Sequence, residues 1–249
     1  PNNFKDKHGN SISEGYIHAE LANTLANLCK KNIFVVPRIY ADELVDEDKN
    51  YLPDFGKTIN KNNFTFYSGK YVVSDKISKT LIKKISKMIN TQIIFWDNFY
   101  ANDYCPRKLF IGPFVNRKGV NNLMINPTGL IETDLLILDI VSKTQNSKTP
   151  YKAWKKLLLK HDIPLNFFNV QNYMLKPAFG KNPNLPKINV TKTNIENLNY
   201  LLWKWKKPLS REWFPYLLGL KHDLQLNQKE LSSERILKTQ TKPLAKYLL

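Results

Sequence analysis

Four short apolar runs alternate along the first half of the chain with segments of helical period. The runs are Ile33-Phe34-Val35-Val36-Pro37, Phe64-Thr65-Phe66-Tyr67, Ile93-Ile94-Phe95-Trp96 and Leu123-Met124-Ile125. Each is too short for a core helix, and the first three are rich in β-branched or aromatic side chains, which suits a strand. Between them, Ile17, Leu21, Leu25 and Leu28 recur at helical spacing, and Ile77, Leu81, Ile82, Ile85, Met88 and Ile89 form one apolar face. Ser11 and Glu14 have the spacing of a capping box ahead of the first of these helices. Leu130 to Ile140 reads as a further helix. Parallel strands must be joined by crossovers, so this order predicts an α/β fold with a parallel sheet.

Polar residues gather just after each apolar run: Tyr40, Gly69, Asp97-Asn98 and Asn126. In parallel α/β folds, ligands bind at the C-terminal edge of the sheet, where rigid strands deliver side chains and loops are free to vary. The lysines opposite the apolar face of the second helix, Lys76, Lys79, Lys83, Lys84 and Lys87, read as a solvated surface.

Beyond about residue 147 the pattern changes. Lys152–Lys160 reads as a helix. Residues 163–190 carry Pro164, Pro177, Pro183 and Pro186 among scattered asparagines, which predicts an irregular connector. Helical periods resume at Ile195–Trp205 and from Trp213 onward, and Trp203, Trp205 and Trp213 read as the core of a helical domain. The expected division is therefore 1–147 and 148–249.

With 42% hydrophobic and 24% charged residues the composition is that of a folded chain. No run of 18 apolar residues exists, so no membrane span is expected. Two cysteines, Cys29 and Cys105, exclude a disulfide framework and a multi-cysteine zinc site. His8, His18, His161 and His222 are unclustered, so no metal site is expected. The net charge is +17. A polyanion partner would explain it. A skewed coding composition would too: only five of the 38 basic residues are arginine, and asparagine reaches 28. Arginine is the residue that bidentate phosphate and guanine recognition favours, so no nucleic-acid partner is expected. Residue 1 is proline and no charged-then-apolar leader follows, which leaves compartment and oligomeric state open.

The densest polar segment is Trp96-Asp97-Asn98-Phe99-Tyr100-Ala101-Asn102-Asp103-Tyr104, directly after an apolar run. Carboxylates and carboxamides hydrogen-bond hydroxyls, and aromatic faces pack on a sugar's C–H surface. The same residue types also cap helices and close turns, so the pattern alone supports a carbohydrate site and a structural loop alike. The acidic run Asp42, Glu43, Asp46, Glu47 and Asp48 reads as a solvated loop. Asp6, Glu14 and Glu20 have no second carboxylate beside them at a strand end.

Residues Trp96 to Arg117, WDNFYANDYCPRKLFIGPFVNR, resemble the signature of glycoside hydrolase family 84, which contains protein O-GlcNAcases and hyaluronidase-type β-N-acetylglucosaminidases. The resemblance continues at Asn126-Pro127 and Glu132. Upstream it includes Tyr67-Ser68-Gly69, Val72-Val73-Ser74 with Ile77-Ser78, and Pro37-Arg38-Ile39-Tyr40, so that it spans about residues 15–145 in one order. It departs from many relatives at Arg38, Ile39 and Thr128-Gly129.

That resemblance implies a (β/α)8 barrel that removes β-linked N-acetylglucosamine from a glycan or glycoprotein by substrate-assisted retention, without a metal or cofactor. It implies that Asn98 hydrogen-bonds near the acetamido group, that Asp103 binds outer hydroxyls and that Asn126 fixes ring hydroxyls. Tyr40 would line the pocket near the reaction centre, Trp96 would wall it, and Asp97 belongs to the same segment with a mainly structural role. The family's adjacent aspartate pair, however, has no counterpart: no Asp-Asp occurs in the sequence. Only four barrel strands are countable where a closed barrel needs eight. The expectation is therefore the second half of a (β/α)8 barrel followed by a mostly α-helical C-terminal domain, with the catalytic pair upstream of Pro1 and no catalytic residue within the chain. A non-catalytic carbohydrate-binding protein and a basic polyanion-binding protein are the alternatives.

Overall fold

A computed structural model describes residues 4–5, 8–9, 11–103, 108–117, 119–177 and 191–228. Pro1, Asp6, Tyr104, Cys105, Arg107, Pro183, Pro186 and the stretch after 228 lie outside the described residues. The chain divides into two compact units. The first comprises Pro1–Asn98 and Asn116–Asn126, the second Phe99–Val115 and Pro127–Leu249.

The first unit opens with a two-residue hairpin, β1 (Phe4–Lys5) against β2 (Ser11–Ile12). Helix α1 (Glu14–Cys29) follows. Its N-cap is Ser13, whose side chain accepts from the Tyr16 N–H. The Ser11–Glu14 capping box is thus not formed, because Ser11 is paired in β2 and the helix begins two residues later. The sheet is four parallel strands in the order β3 (Phe34–Val35), β4 (Phe64–Tyr67), β5 (Gln92–Asp97), β6 (Leu123–Ile125). Two helices complete this unit: α2 (Tyr51–Thr58), which no pattern in the sequence announced, and α3 (Lys79–Met88).

Register assigns the faces. Val35 pairs with Thr65, Thr65 with Ile93, Tyr67 with Phe95, and Phe95 with Leu123. Val35, Tyr67, Ile93 and Phe95 are buried in one core with Ala19, Tyr51, Phe55, Leu81 and Ile85 of the helices. The opposite face carries an aromatic row. Phe34 stacks on Phe64 (4.8 Å between centroids) and Phe66 (5.8 Å), and Phe66 meets Trp96, which meets Tyr40 (both 6.0 Å). This face is exposed at its two outer strands, where Phe34 is 61% exposed and Val36 and Met124 are exposed as well, while Phe66 between them is buried.

The helices come very close to one another at glycine. A Cβ on Gly15 of α1 would sit 2.0 Å from the Tyr51 carbonyl oxygen at the start of α2, so only glycine allows that approach. Tyr51 also bridges elements through its hydroxyl, which accepts from the Arg38 N–H (2.8 Å) and bonds His18 Nδ1 (2.5 Å). The lysine row of α3 is exposed as its pattern predicted.

The second unit holds α4 (Ile131–Thr144), α5 (Pro150–Lys160), 3-10 turns at Leu165–Asn169 and Gln171–Tyr173, α6 (Lys192–Trp203) and α7 (Pro208–Asn227). Trp154, Phe167 and Trp213 are fully buried at its centre. The two indoles satisfy their N–H groups on the Ile111 carbonyl and the Thr133 hydroxyl. Trp205 joins this core, whereas Trp203 does not: it is 52% exposed, with its ring edge against Phe214.

Candidate functional site

The candidate site lies at the C-terminal ends of the four parallel strands. Chain pairing continues there beyond the strands. The Ser68 N–H donates to the Tyr40 carbonyl at 2.7 Å, Ala41 bridges Gly69, and the Asp42 N–H donates to the Gly69 carbonyl at 2.9 Å. Gly69 has φ of +136°, outside the range favoured by residues with a side chain, and the rim turns at that point.

Side-chain hydrogen bonds then cross the strand ends. Asn98 is buried, and its Nδ2 donates to the Val72 carbonyl (2.8 Å) and to Ser68 Oγ (3.3 Å). Its Oδ1 accepts from Asn126 Nδ2 at 3.1 Å. The Asn126 backbone N–H donates to the Asp97 carbonyl at 3.0 Å. A continuous path of hydrogen bonds therefore runs from the exit of β3 through those of β4, β5 and β6. The half-buried ring of Tyr40 lies beside the half-buried indole of Trp96, inclined 32° to it.

Asp97 has a different environment. Its carboxylate is buried and takes a two-pronged contact from Arg117: Nε to Oδ2 at 2.7 Å and Nη2 to Oδ1 at 3.1 Å. Fully buried Arg117 also donates to the carbonyls of Ser74 (2.8 Å) and Asp75 (2.5 Å). Asp97 is thus held within the protein by Arg117, while its neighbour Asn98 belongs to the network at the rim.

Of the six residues expected to bind substrate, Tyr40, Trp96, Asp97, Asn98 and Asn126 come together in the first unit. Asp103 lies in the second unit and is exposed. Its neighbour Asn102 donates to the Tyr216 hydroxyl at 2.9 Å within that unit. Ser68, Val72 and Arg117 were not singled out from the sequence as parts of a site. All three sit within the segments that carry the family resemblance, which was the signal available for them.

The acidic run after Tyr40 forms a 3-10 turn, Asp42–Glu47, and is not simply a solvated loop. Asp42 accepts from the Tyr67 hydroxyl (2.8 Å) and pairs with Lys84 (3.0 Å), and Glu43 accepts from the Val72 N–H. Burial and the adjacent Asp42 carboxylate both hold the Tyr67 phenol protonated, well above the usual tyrosine range. A cleft of about 500 Å³ opens beside this turn, lined by Asp42, Glu43, Lys70, Tyr71, Lys76 and neighbouring residues of α3. Among the described residues no cluster of three histidine, cysteine or carboxylate side chains has the arrangement of a metal site, and no helix is long and apolar enough to cross a membrane.

The family model described as beta-N-acetylglucosaminidase (NAGidase) matches residues 4–156. Protein O-GlcNAcase of Rattus norvegicus and that of Mus musculus are each 36% identical over 67 residues, 27% of this chain and 7% of theirs. The solved structure of CpGH84B superposes with a TM-score of 0.62 at 17% identity, covering 94% of this chain and 49% of that one. At that identity the likeness speaks for the fold. The chain therefore spans about half the length of that structure, and its match a small part of the curated relatives. With a match of this family model over more than half of its length, the chain belongs to the beta-N-acetylglucosaminidase family of glycoside hydrolase family 84 type.

Proposed function

We propose that this chain forms the acetamido-sugar side of a β-N-acetylglucosaminidase active site. The observation that carries the reading is the hydrogen-bonded row Tyr40–Ser68–Asn98–Asn126 across four parallel strand ends. With both N–H groups of Asn98 used inward, its Oδ1 keeps one lone pair for a donor, and an acetamido N–H is such a donor. Asn126 has a second N–H and its own carbonyl oxygen for ring hydroxyls. Tyr40 and Trp96 supply an aromatic wall for the apolar face of the ring. Asp97 would act by holding the strand end.

The proposed chemistry is substrate-assisted. The 2-acetamido carbonyl oxygen attacks the anomeric carbon while the bond to the leaving oxygen breaks, and a carboxylic acid protonates that oxygen. A second carboxylate shares the acetamido N–H with Asn98 Oδ1 in a three-centre hydrogen bond and takes its proton as the oxazoline forms. Water then attacks the anomeric carbon as the oxazoline C–O bond breaks; it gives a proton to the carboxylate that the acid has become, the second carboxyl returns its proton to the nitrogen, and configuration is retained. An internal nucleophile gains from proximity and needs no enzyme carboxylate at that carbon. The acid must have a raised pKa and its partner must stay ionised, so their environments must differ. Since the sequence contains no Asp-Asp pair, we assign both carboxylates to a segment outside these 249 residues.

The aromatic face of the sheet, exposed at its outer strands, supports the same reading: residues 1–147 are the second half of a (β/α)8 barrel, and that face is its interior. Residues 148–249 then form the helical domain that follows, although the compact units interleave, with Phe99–Val115 and α4 in the second. The substrate is a β-N-acetylglucosamine-bearing glycan or glycoprotein. The test is hydrolysis of an aryl β-N-acetylglucosaminide by a protein that joins this chain to the segment carrying the aspartates. Asn98→Ala should lower turnover there much more than it lowers the melting temperature; unchanged turnover in the folded variant would refute the assignment.

A further inference from the structure

We propose that Arg117 is a positioning residue that sets the polarity of the site by fixing which way the Asn98 carboxamide points. The functional consequence rests on Asn98 being a sugar ligand; the structural part does not.

Asn98 is oriented by its acceptors, chiefly the Val72 carbonyl at 2.8 Å. That carbonyl belongs to a tight turn. Ser74 Oγ accepts from the Tyr71 N–H (3.0 Å) and donates to the Tyr71 carbonyl (2.8 Å). Glu43 holds the turn through the Val72 N–H, and Arg117 ties it to the end of β5 independently of Asn98: one planar guanidinium holds both oxygens of Asp97 and the carbonyls of Ser74 and Asp75. A rigid fork fixes several acceptors at once, which a lysine ammonium cannot do. The loop containing residue 117 is itself attached to the start of the next helix, since the Asn116 carbonyl accepts from the Ile77 N–H at 3.1 Å.

The polarity follows from the donor count. A carboxamide is nearly symmetric in shape, so its orientation is decided by hydrogen bonds. With Val72 in place, Nδ2 turns inward and Oδ1 meets Asn126 Nδ2. If the turn shifts, the inward preference weakens, and a flipped amide sets Nδ2 against Asn126 Nδ2. The site would then offer a donor where an acetamido N–H needs an acceptor.

The experiment uses the whole chain and Arg117→Lys, which keeps a cation beside Asp97 and gives up the fork. Two quantities are read by NMR: hydrogen exchange of the Asn98 side-chain amide, and the affinity ratio of N-acetylglucosamine to glucose. R117K should speed that exchange and lower the ratio by about tenfold, the equivalent of one hydrogen bond. General loosening would weaken both sugars together and leave the ratio unchanged. If R117K does not fold, the neutral pair Asp97→Asn with Arg117→Gln removes the buried-charge problem while still deleting the carbonyl contacts. Unchanged exchange and an unchanged ratio in a folded variant would overturn the proposal. Absence of sugar binding by the wild type would count against the sugar site instead, and the exchange rates alone would then decide the role of Arg117.

Discussion

Asn98 accepts from Asn126 at 3.1 Å while it donates its own amide N–H groups to the Val72 carbonyl and Ser68 Oγ. Asn98→Asp should therefore be worse than a loss of contact. It sets a carboxylate against the Val72 carbonyl in a buried position. The expected cost is about 1–3 kcal/mol, read as a drop in urea unfolding free energy. Asn126→Ala removes one bond at a half-buried position and should cost only about 0.5–1.5 kcal/mol.

The buried pair Asp97–Arg117 predicts a steep asymmetry. Asp97→Ala leaves a guanidinium buried without its carboxylate and should cost about 3–5 kcal/mol. Asp97→Asn keeps two polar atoms in place and should cost less. Equal melting temperatures for wild type and D97A would contradict the pairing.

His18 makes folding pH-dependent. Burial holds its imidazole below the ordinary value, with Glu14 pulling the other way. In the folded state the ring is bonded to the Tyr51 hydroxyl, whose own pKa burial pushes up to about 12. Between the folded pKa and the unfolded value of about 6.5, the unfolded chain binds more protons. Stability from this group is thus full above about pH 6.5 and is lost as pH falls toward the folded value. Melting temperature should decline between about pH 7 and about pH 5, and His18→Gln should flatten that part of the curve.

Glu212 caps a helix of the second unit from a distance in sequence. It accepts from the backbone N–H groups of Glu132 and Thr133 at the start of α4, and from the Thr133 hydroxyl. Carboxylates are favoured at helix N-termini. Glu212→Ala should cost about 1–3 kcal/mol in urea unfolding, and Glu212→Gln should cost less because it retains one acceptor.

The strands were legible because each is a dense apolar run with polar residues at its end. Phe64–Tyr67 and Leu123–Ile125 match their runs residue for residue. Helix α2 was hidden: it is only eight residues long, has Pro53 in its first turn and follows an acidic stretch. The cap of α1 was misread because two serines precede the helix and the hairpin takes the first. Trp203 has the spacing of a core tryptophan, but it stands in the last turn of α6, where the helix leaves the core. The motif made Asn98 and Asn126 visible, yet nothing local pairs Asp97 with a residue twenty positions on. Partners at that separation follow from the path of the loop, not from a sequence period.

The central claim is that Asn98 and Asn126 receive an acetylated amino sugar at the strand ends. The most direct measurement is titration of the isotopically labelled chain with N-acetylglucosamine, following the side-chain amide signals of these two asparagines. Both should shift together and saturate with a Kd on the order of millimolar, while glucose shifts them only at concentrations about tenfold higher. Signals that stay fixed for both sugars, or that move equally for both, would contradict the claim.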